Sequence, residues 1–443
     1  MPPVATTRSA PALSLGRSGR ARSVSIGRSA SRAGDTFLCI LLGVYLASLV
    51  FEGPLRYALA RTGLPNALYL RDAIPVCTLA FLFLRSLIVD KAIEPLIAVP
   101  VALLIFHGAL AAIFGVNFFS ILFGFKIFMF LPYGMAMWPL IRPRLEAALT
   151  VAAIIFGVTL AGVLLNFLLE RLPWEGFEYE SAFGTVTTTR MWWIPGGISR
   201  LPGFTRTSFN AAMILGITGM LTMVKLRRLL PGAAVALMTL AALLATTSKG
   251  MILAFPIAAL WLLAEKGHAS GRMLVYLLCA LTLTLPFVIV LFDLGSSMPA
   301  SAFPPLIVSA WERFTMMWPL AFDLLPDGPA AALGAGLGSI GTPQLYGDAP
   351  HRVNAADSLA VFMMVNFGLL GLLYYVAPAL GQRRVAEKEN PIIRRAYTGL
   401  LIIAYGYGIS ISMIEESFFA ICLGLGLGAM ATTFLQARGE RAP

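Results

Sequence analysis

Charge is what this chain has least of. Only 12% of its 443 residues are charged, against about 25% in an ordinary soluble protein. A chain this long with so few charges lacks the polar surface needed to stay in water, which excludes a soluble globular fold. Histidine is scarce at three residues, and cysteine at four. Cys39, Cys77, Cys279 and Cys422 all fall inside apolar runs, which argues against a disulfide framework and offers no metal-ligand spacing. The glycine-rich stretch Gly334-Ala-Gly336-Leu-Gly338 has no strand before it, so it is not a dinucleotide fingerprint. Short segments of alternating polarity are missing too, which argues against a β-barrel.

Long apolar runs are what remain. Hydrophobic residues make up 58% of the chain, and the mean hydropathy is +0.81. Runs of about 18 or more apolar residues read as membrane spans, and in lipid such spans must be helical to satisfy their own backbone. The runs fall at 36–52, 73–90, 95–115, 117–141, 147–169, 209–225, 232–248, 250–264, 273–294, 358–380, 396–414 and 417–435. The pair 232–248 and 250–264 reads either as two full spans or as one broken pair around Lys249. The expected fold is all-α, a polytopic transmembrane helix bundle of about twelve spans with a large helical outer (periplasmic) loop. Residues 1–34, rich in Ser, Arg, Ala and Gly, read as a disordered basic leader. Residues 35–435 form the membrane domain and 436–443 a short tail.

Lys and Arg set the orientation. Arg8, Arg17, Arg20, Arg22, Arg28 and Arg32 precede the first run. With that end inside, the other inside loops hold Arg142 and Arg144, Lys225 to Arg228, Lys266 and Arg272, and Arg383 to Arg395. Both termini are therefore expected in the cytoplasm. The net charge of +11 is mainly this topology signal, spread over many loops, and is weak evidence for nucleic acid.

Two outside segments are then long, 170–208 and 295–357. They hold Trp174, Trp192, Trp193, Trp311 and Trp318, five of the seven tryptophans. These suit an aromatic belt at the membrane interface or a platform for sugar or polyprenyl ligands, and the residues alone do not separate the two. Trp311, Phe314, Met317 and Trp318 recur at helical spacing, predicting a helix that lies on the membrane or covers a site.

Several residues carry candidate chemistry. Arg200 and Arg206 flank Gly203 ahead of Asn210, where the sixth run begins; helix N–H groups and guanidinium forks together suit an anion, while simple loop charge near headgroups is the plain alternative. Lys249 follows Thr246-Thr247-Ser248 and precedes Gly250, a cation on the outer side against the charge bias. His351, Arg352, Asn354 and Asp357 stand just before the tenth run, and His351 is the one histidine expected outside. Lys126 lies within a run, where a charge costs roughly 2.5–3.5 kcal/mol and marks function unless it snorkels. Glu415 and Glu416 mark the last outer turn.

Taken in order, these parts resemble the O-antigen ligase and O-antigen polymerase family of bacterial envelope glycosyltransferases. The resemblance covers roughly 195–380: Arg200-x-x-Gly203 to Asn210, then Thr246-x-Ser248-Lys249-Gly250, then the glycine stretch and His351-x-x-Asn354 before a run with Asn366, Gly368 and Gly371. Two positions depart from the family pattern, Lys249 where Arg is common and Phe209 where Pro is common. The resemblance implies an enzyme of the bacterial inner membrane. It would transfer glycan from undecaprenyl diphosphate to the hydroxyl of another lipid-linked repeat unit (a polymerase) or of lipid A-core (a ligase), beside other polysaccharide assembly proteins. Arg200, Arg206, Asn210, Lys249, Lys126, Arg352 and Asn354 would bind the diphosphate and substrate, and His351, Glu415 or Asp357 would supply the base. No Asp-x-Asp pair occurs, so no metal is expected, and the activated donor calls for no cofactor. A flippase or secondary transporter is the competing class; it would place its ionisable groups at mid-membrane, where only Lys126 and His107 fall.

Overall fold

The computed structural model describes residues 21–88, 94–181, 184–194, 197–264, 268–295, 308–347 and 356–439. His351, Arg352 and Asn354 lie outside the described residues, as does the leader before residue 21. The protein is predominantly helical. Each expected run coincides with a helix: α1 (Ala21–Val50), α3 (Leu68–Ile88), α4 (Glu94–Ile113), α5 (Phe118–Ile141), α6 (Leu145–Leu169), α7 (Ser208–Leu226), α8 (Leu229–Thr246), α9 (Lys249–Leu263), α10 (His268–Leu291), α13 (Leu359–Lys388), α14 (Pro391–Gly408) and α15 (Ser417–Gly439). A short α2 (Glu52–Arg61) follows α1, and α11 (Val308–Glu312) and α12 (Trp318–Phe322) lie between α10 and α13. Among the described residues, nine helical stretches are long and apolar enough to cross a membrane, and one of them, Phe118–Leu169, contains both α5 and α6.

Two boundaries differ from the sequence reading, and an open one is decided. α1 begins at Ala21, inside the leader expected to lack structure. α14 stops at Gly408 rather than at 414, where Ser410 and Ser412 turn their hydroxyls onto nearby groups. α8 and α9 are separate helices, since Thr247 caps α8 in the left-handed region at φ 52°. With 15 residues, α9 is about 22 Å long, short of a roughly 30 Å hydrocarbon core.

The all-helical expectation also missed two small hairpins in the 170–208 segment. β1 (Glu178–Ser181) pairs antiparallel with β2 (Gly184–Thr187), and β3 (Trp192–Ile194) with β4 (Ile198–Arg200). Their strands are too short for a period-2 pattern to show.

Exposure is inverted relative to a soluble protein. Leu84, Ile105, Leu168, Leu237, Leu260 and Leu277 are exposed, as lipid-facing side chains should be. α7 and α14 form the middle of the bundle, with Ala211, Leu215, Ile217, Ile402 and Ile403 wholly buried. Without water between helices, close packing comes from small residues. Gly424 and Gly428 on α15, four apart, meet Leu131, Gly134 and Trp138 on α5 with no room for a Cβ.

Contacts sort the loops into two ends, matching the grouping of the charge pattern. At one end Arg142 pairs with Glu389, Arg227 with Glu146 and Arg85 with Asp35. At the other, Arg313 pairs with Asp357, Asn210 with Glu416 and Arg56 with Tyr179.

The glycine stretch at 334–338 inserts among α4, α5 and α13. A Cβ on Gly336 would overlap Ala111, and one on Gly338 would overlap Ser120; both residues, with Gly334, have φ between 77° and 87°. α13 breaks at Gly368 (φ 60°), which frees the Val365 carbonyl to accept from Ala335 N at 2.7 Å. Asn366 Oδ1 accepts from Gly338 N at 3.1 Å while its Nδ2 donates to the Phe362 carbonyl. This stretch is therefore built into the packing of the bundle.

Candidate functional site

The polar residues of the second end gather where α7, α9, α13 and α15 begin. The Arg200–Asn210 segment is held firmly. Gly203 has φ 61°, and a Cβ there would lie 2.8 Å from Val163 N. Its N–H donates to Asn166 Oδ1 at 3.0 Å, and its carbonyl accepts from Trp174 Nε1 at 2.9 Å. Thr207 caps α7, its hydroxyl oxygen accepting from Asn210 N. Gly203 thus seats the turn between the two arginines and leaves the anion chemistry to them.

The structure divides those arginines between two neighbourhoods. Arg200 stacks over the Phe209 ring, 5.3 Å to its centroid, within electrostatic reach of Lys249 and Arg313. Burial pushes the Arg200 guanidinium below its ordinary range, although nearby Tyr407 opposes this. Asp357 joins this group. It sits at φ 40°, accepts from Arg313 Nη2 at 2.9 Å, and burial raises its carboxyl above the usual carboxylate range. Arg313 also donates to the Ser410 carbonyl at 3.0 Å. Gly250 is what lets α9 approach α14 here, since a Cβ would overlap the Ser410 hydroxyl. Ser248 and Tyr407 share a hydrogen bond of 2.8 Å across that contact.

Arg206 lies in the second group, with Arg56, Arg190, Glu52 and Glu416 in reach. Burial, then the nearby Arg56, pushes its guanidinium down. Glu52 holds Arg56 at 2.6 Å and Arg71 at 3.4 Å. Asn210 Nδ2 donates to Glu416 Oε2 at 2.9 Å. The Glu416 carboxyl is pushed up to about 7, first by burial and then by Glu52 and Glu415.

Lys126 is apart from the Arg200 group; its ammonium pairs with Asp72 at 2.5 Å. Asp72 also accepts from Arg71 at 3.2 Å, which links Lys126 to the Arg206 group through Glu52. Glu415 is engaged locally, accepting from Thr342 N at 2.8 Å and from the Ser412 hydroxyl; burial raises its carboxyl. Trp174 and Trp318 serve the fold. Trp174 binds Gly203, and Trp318 is 1% exposed beside Phe314. The helix expected from Trp311, Phe314, Met317 and Trp318 is present, interrupted by a π turn over Arg313–Met317.

The guanidinium Nε atoms of Arg200, Arg206 and Arg313 are buried without a hydrogen-bond partner among the described residues. An unmade donor of this kind is costly, and more so when charged. Two of them, on Arg200 and Arg313, share a neighbourhood with Lys249 that has capacity for an anion, and the third, on Arg206, lies in the next neighbourhood. Sequence reasoning missed Arg313, Arg56 and Arg71. The signal was the one that marked Lys249, a cation on the side expected to be outer, against the charge bias.

No family model, no curated protein and no solved structure matches this chain.

Proposed function

We propose that this protein is a metal-independent membrane glycosyltransferase, a polysaccharide polymerase acting on lipid-linked repeat units at the outer face of the bacterial inner membrane. The observation that carries this reading is the pair of buried guanidinium Nε donors on Arg200 and Arg313 that have no hydrogen-bond partner among the described residues, with Lys249 in electrostatic reach of both. A lipid diphosphate gains negative charge as it leaves, and preorganised cations stabilise such charge most where water is excluded.

In this reading the acceptor hydroxyl gives its proton to a base and its oxygen bonds to the anomeric carbon of the donor sugar. The bond from that carbon to the diphosphate oxygen breaks, and the diphosphate departs toward Arg200, Lys249 and Arg313. His351 is the proposed base, because an imidazole exchanges protons near neutrality. Asp357, which follows His351 by six residues in the sequence, is fixed by Arg313.

Reconstitution with a lipid-linked oligosaccharide tests the reading. A ladder of longer lipid-linked products is expected. A single transfer that requires lipid A-core would make the protein a ligase. Movement of the lipid-linked glycan across vesicles at unchanged length would make it a flippase.

A further inference from the structure

Three stretches of chain meet beside Gly53. Its N–H donates to the Phe204 carbonyl at 2.9 Å, and a Cβ on it would overlap Thr189 and Trp174. Glycine there lets the start of α2 close on both 189–190 and 204–206. Those two stretches are themselves stitched together. Arg190 N donates to the Arg206 carbonyl at 3.0 Å, and the Thr189 hydroxyl donates to the Thr205 carbonyl at 3.2 Å. The backbone thus holds Arg190 and Arg206 side by side, with Arg56 of α2 in electrostatic reach of Arg206.

The nearby carboxylates do not neutralise this pair. Glu52 is spent on Arg56 and Arg71, one oxygen to each. Asp72 is spent on Lys126 and Arg71. Glu416 is bonded to Asn210 at 2.9 Å and titrates near 7, so at neutral pH it offsets Arg206 only in part. Arg190 and Arg206 make no ion pair among the described residues, and the Arg206 Nε is buried without a hydrogen-bond partner. Like charges fixed together repel, and a bound anion removes that cost. Two cations without an ion pair match two negative charges, where a single carboxylate would leave one unmet. Guanidinium forks also suit phosphate oxygens, which they pair bidentately. Arg190 is exposed and Arg206 half-buried, so the pair is reachable from solvent. It is separate from the first neighbourhood. The charged groups acting most on Lys249 are Arg200, Arg313 and Glu312, whereas those acting most on Arg206 are Arg56, Glu52, Arg190 and Glu416.

We propose that Arg190 and Arg206, backed by Arg56, form a second anion site that takes a phosphate-class dianion. Its source rests on the polymerase reading above: the acceptor repeat unit carries its own lipid diphosphate, which lies here while the donor's diphosphate departs toward Arg200, Lys249 and Arg313. The phosphate of phosphatidic acid offers the same chemistry and is the competing source. The test is calorimetric titration of inorganic diphosphate into the full-length protein in nanodiscs of zwitterionic lipid. The wild type should bind two equivalents. The double variant Arg190→Gln, Arg206→Gln should bind one, and so should Arg200→Ala, Lys249→Ala; the equivalent that each keeps reports an intact fold. Arg190→Gln alone, at an exposed residue, should weaken one binding step at least tenfold and leave the other, which decides the case even where a double variant fails to fold. A single equivalent in the wild type, or two undiminished equivalents in Arg190→Gln, overturns the proposal. Displacement of the second equivalent by lipid-linked repeat units but not by phosphatidic acid supports the site with the acceptor as its source. Displacement by phosphatidic acid alone supports the site and overturns that source. Two equivalents in a protein that transfers no glycan uphold the site and remove the enzymatic reading; transfer by a wild type that binds one equivalent does the reverse.

Discussion

Glu416 shows most plainly what a single residue contributes. Its carboxyl titrates near 7 in the fold, against an ordinary value of 4.5. Between those values the folded protein holds a proton that the unfolded chain has released, so stability falls as pH rises through that window. The shift corresponds to ~3 kcal/mol. The melting temperature of the wild type should fall between about pH 5 and pH 8, and Glu416→Gln should flatten most of that fall. A wild-type melting temperature that is level across this range would refute the assignment. Arg313 is the second such residue. Arg313→Ala leaves Asp357 half-buried without its cation, and losing one partner of such a pair costs about 3–5 kcal/mol when burial is complete. The double variant Arg313→Ala, Asp357→Asn should melt higher than Arg313→Ala alone, which thermal denaturation in detergent reads directly. Arg200, Arg206 and Lys249 were legible in the sequence because they stand beside glycines at run boundaries. Arg313 was not, since it sits inside an apolar helical pattern, and its pairing with Asp357 spans 44 residues.

At the scale of elements, twelve runs became twelve helices because backbone satisfaction in an apolar run leaves no other regular structure. What composition did not reveal is how helices break. Gly368 and the 334–338 stretch form one unit in which a broken helix and an inserted loop supply each other's hydrogen bonds. Gly336→Ala therefore meets two penalties. A left-handed φ costs a non-glycine residue about 1–2 kcal/mol, and overlap with Ala111 adds about 1–3 kcal/mol of overpacking. The variant should melt several degrees lower than the wild type, and an unchanged melting temperature would show that the stretch is loosely packed. The two hairpins at 178–200 lay below the reach of periodicity; strand pairing defines them, and Tyr179 of the first accepts from Arg56.

At the scale of the whole molecule, the charge pattern and the contacts agree on which loops share an end. Thr185→Cys, exposed on β2, should react with a membrane-impermeant maleimide in intact cells; Arg228→Cys, exposed in the loop before α8, should react only after lysis. Labelling in the opposite order would invert the topology. The end that holds the candidate site places Arg200, Lys249 and Arg313 in one neighbourhood and Arg206, Arg56 and Arg71 in the next. The central claim is that the first of these neighbourhoods receives a departing lipid diphosphate. The most direct measurement is single-turnover glycan transfer in proteoliposomes carrying a lipid-linked oligosaccharide, comparing the wild type with Arg200→Ala and Lys249→Ala. The wild type should yield lengthened lipid-linked glycan, and each variant should lose at least 100-fold in rate, about 2.7 kcal/mol of transition-state stabilisation, while remaining folded in the membrane. Equal rates in all three proteins, or no lengthened product from the wild type, would contradict it.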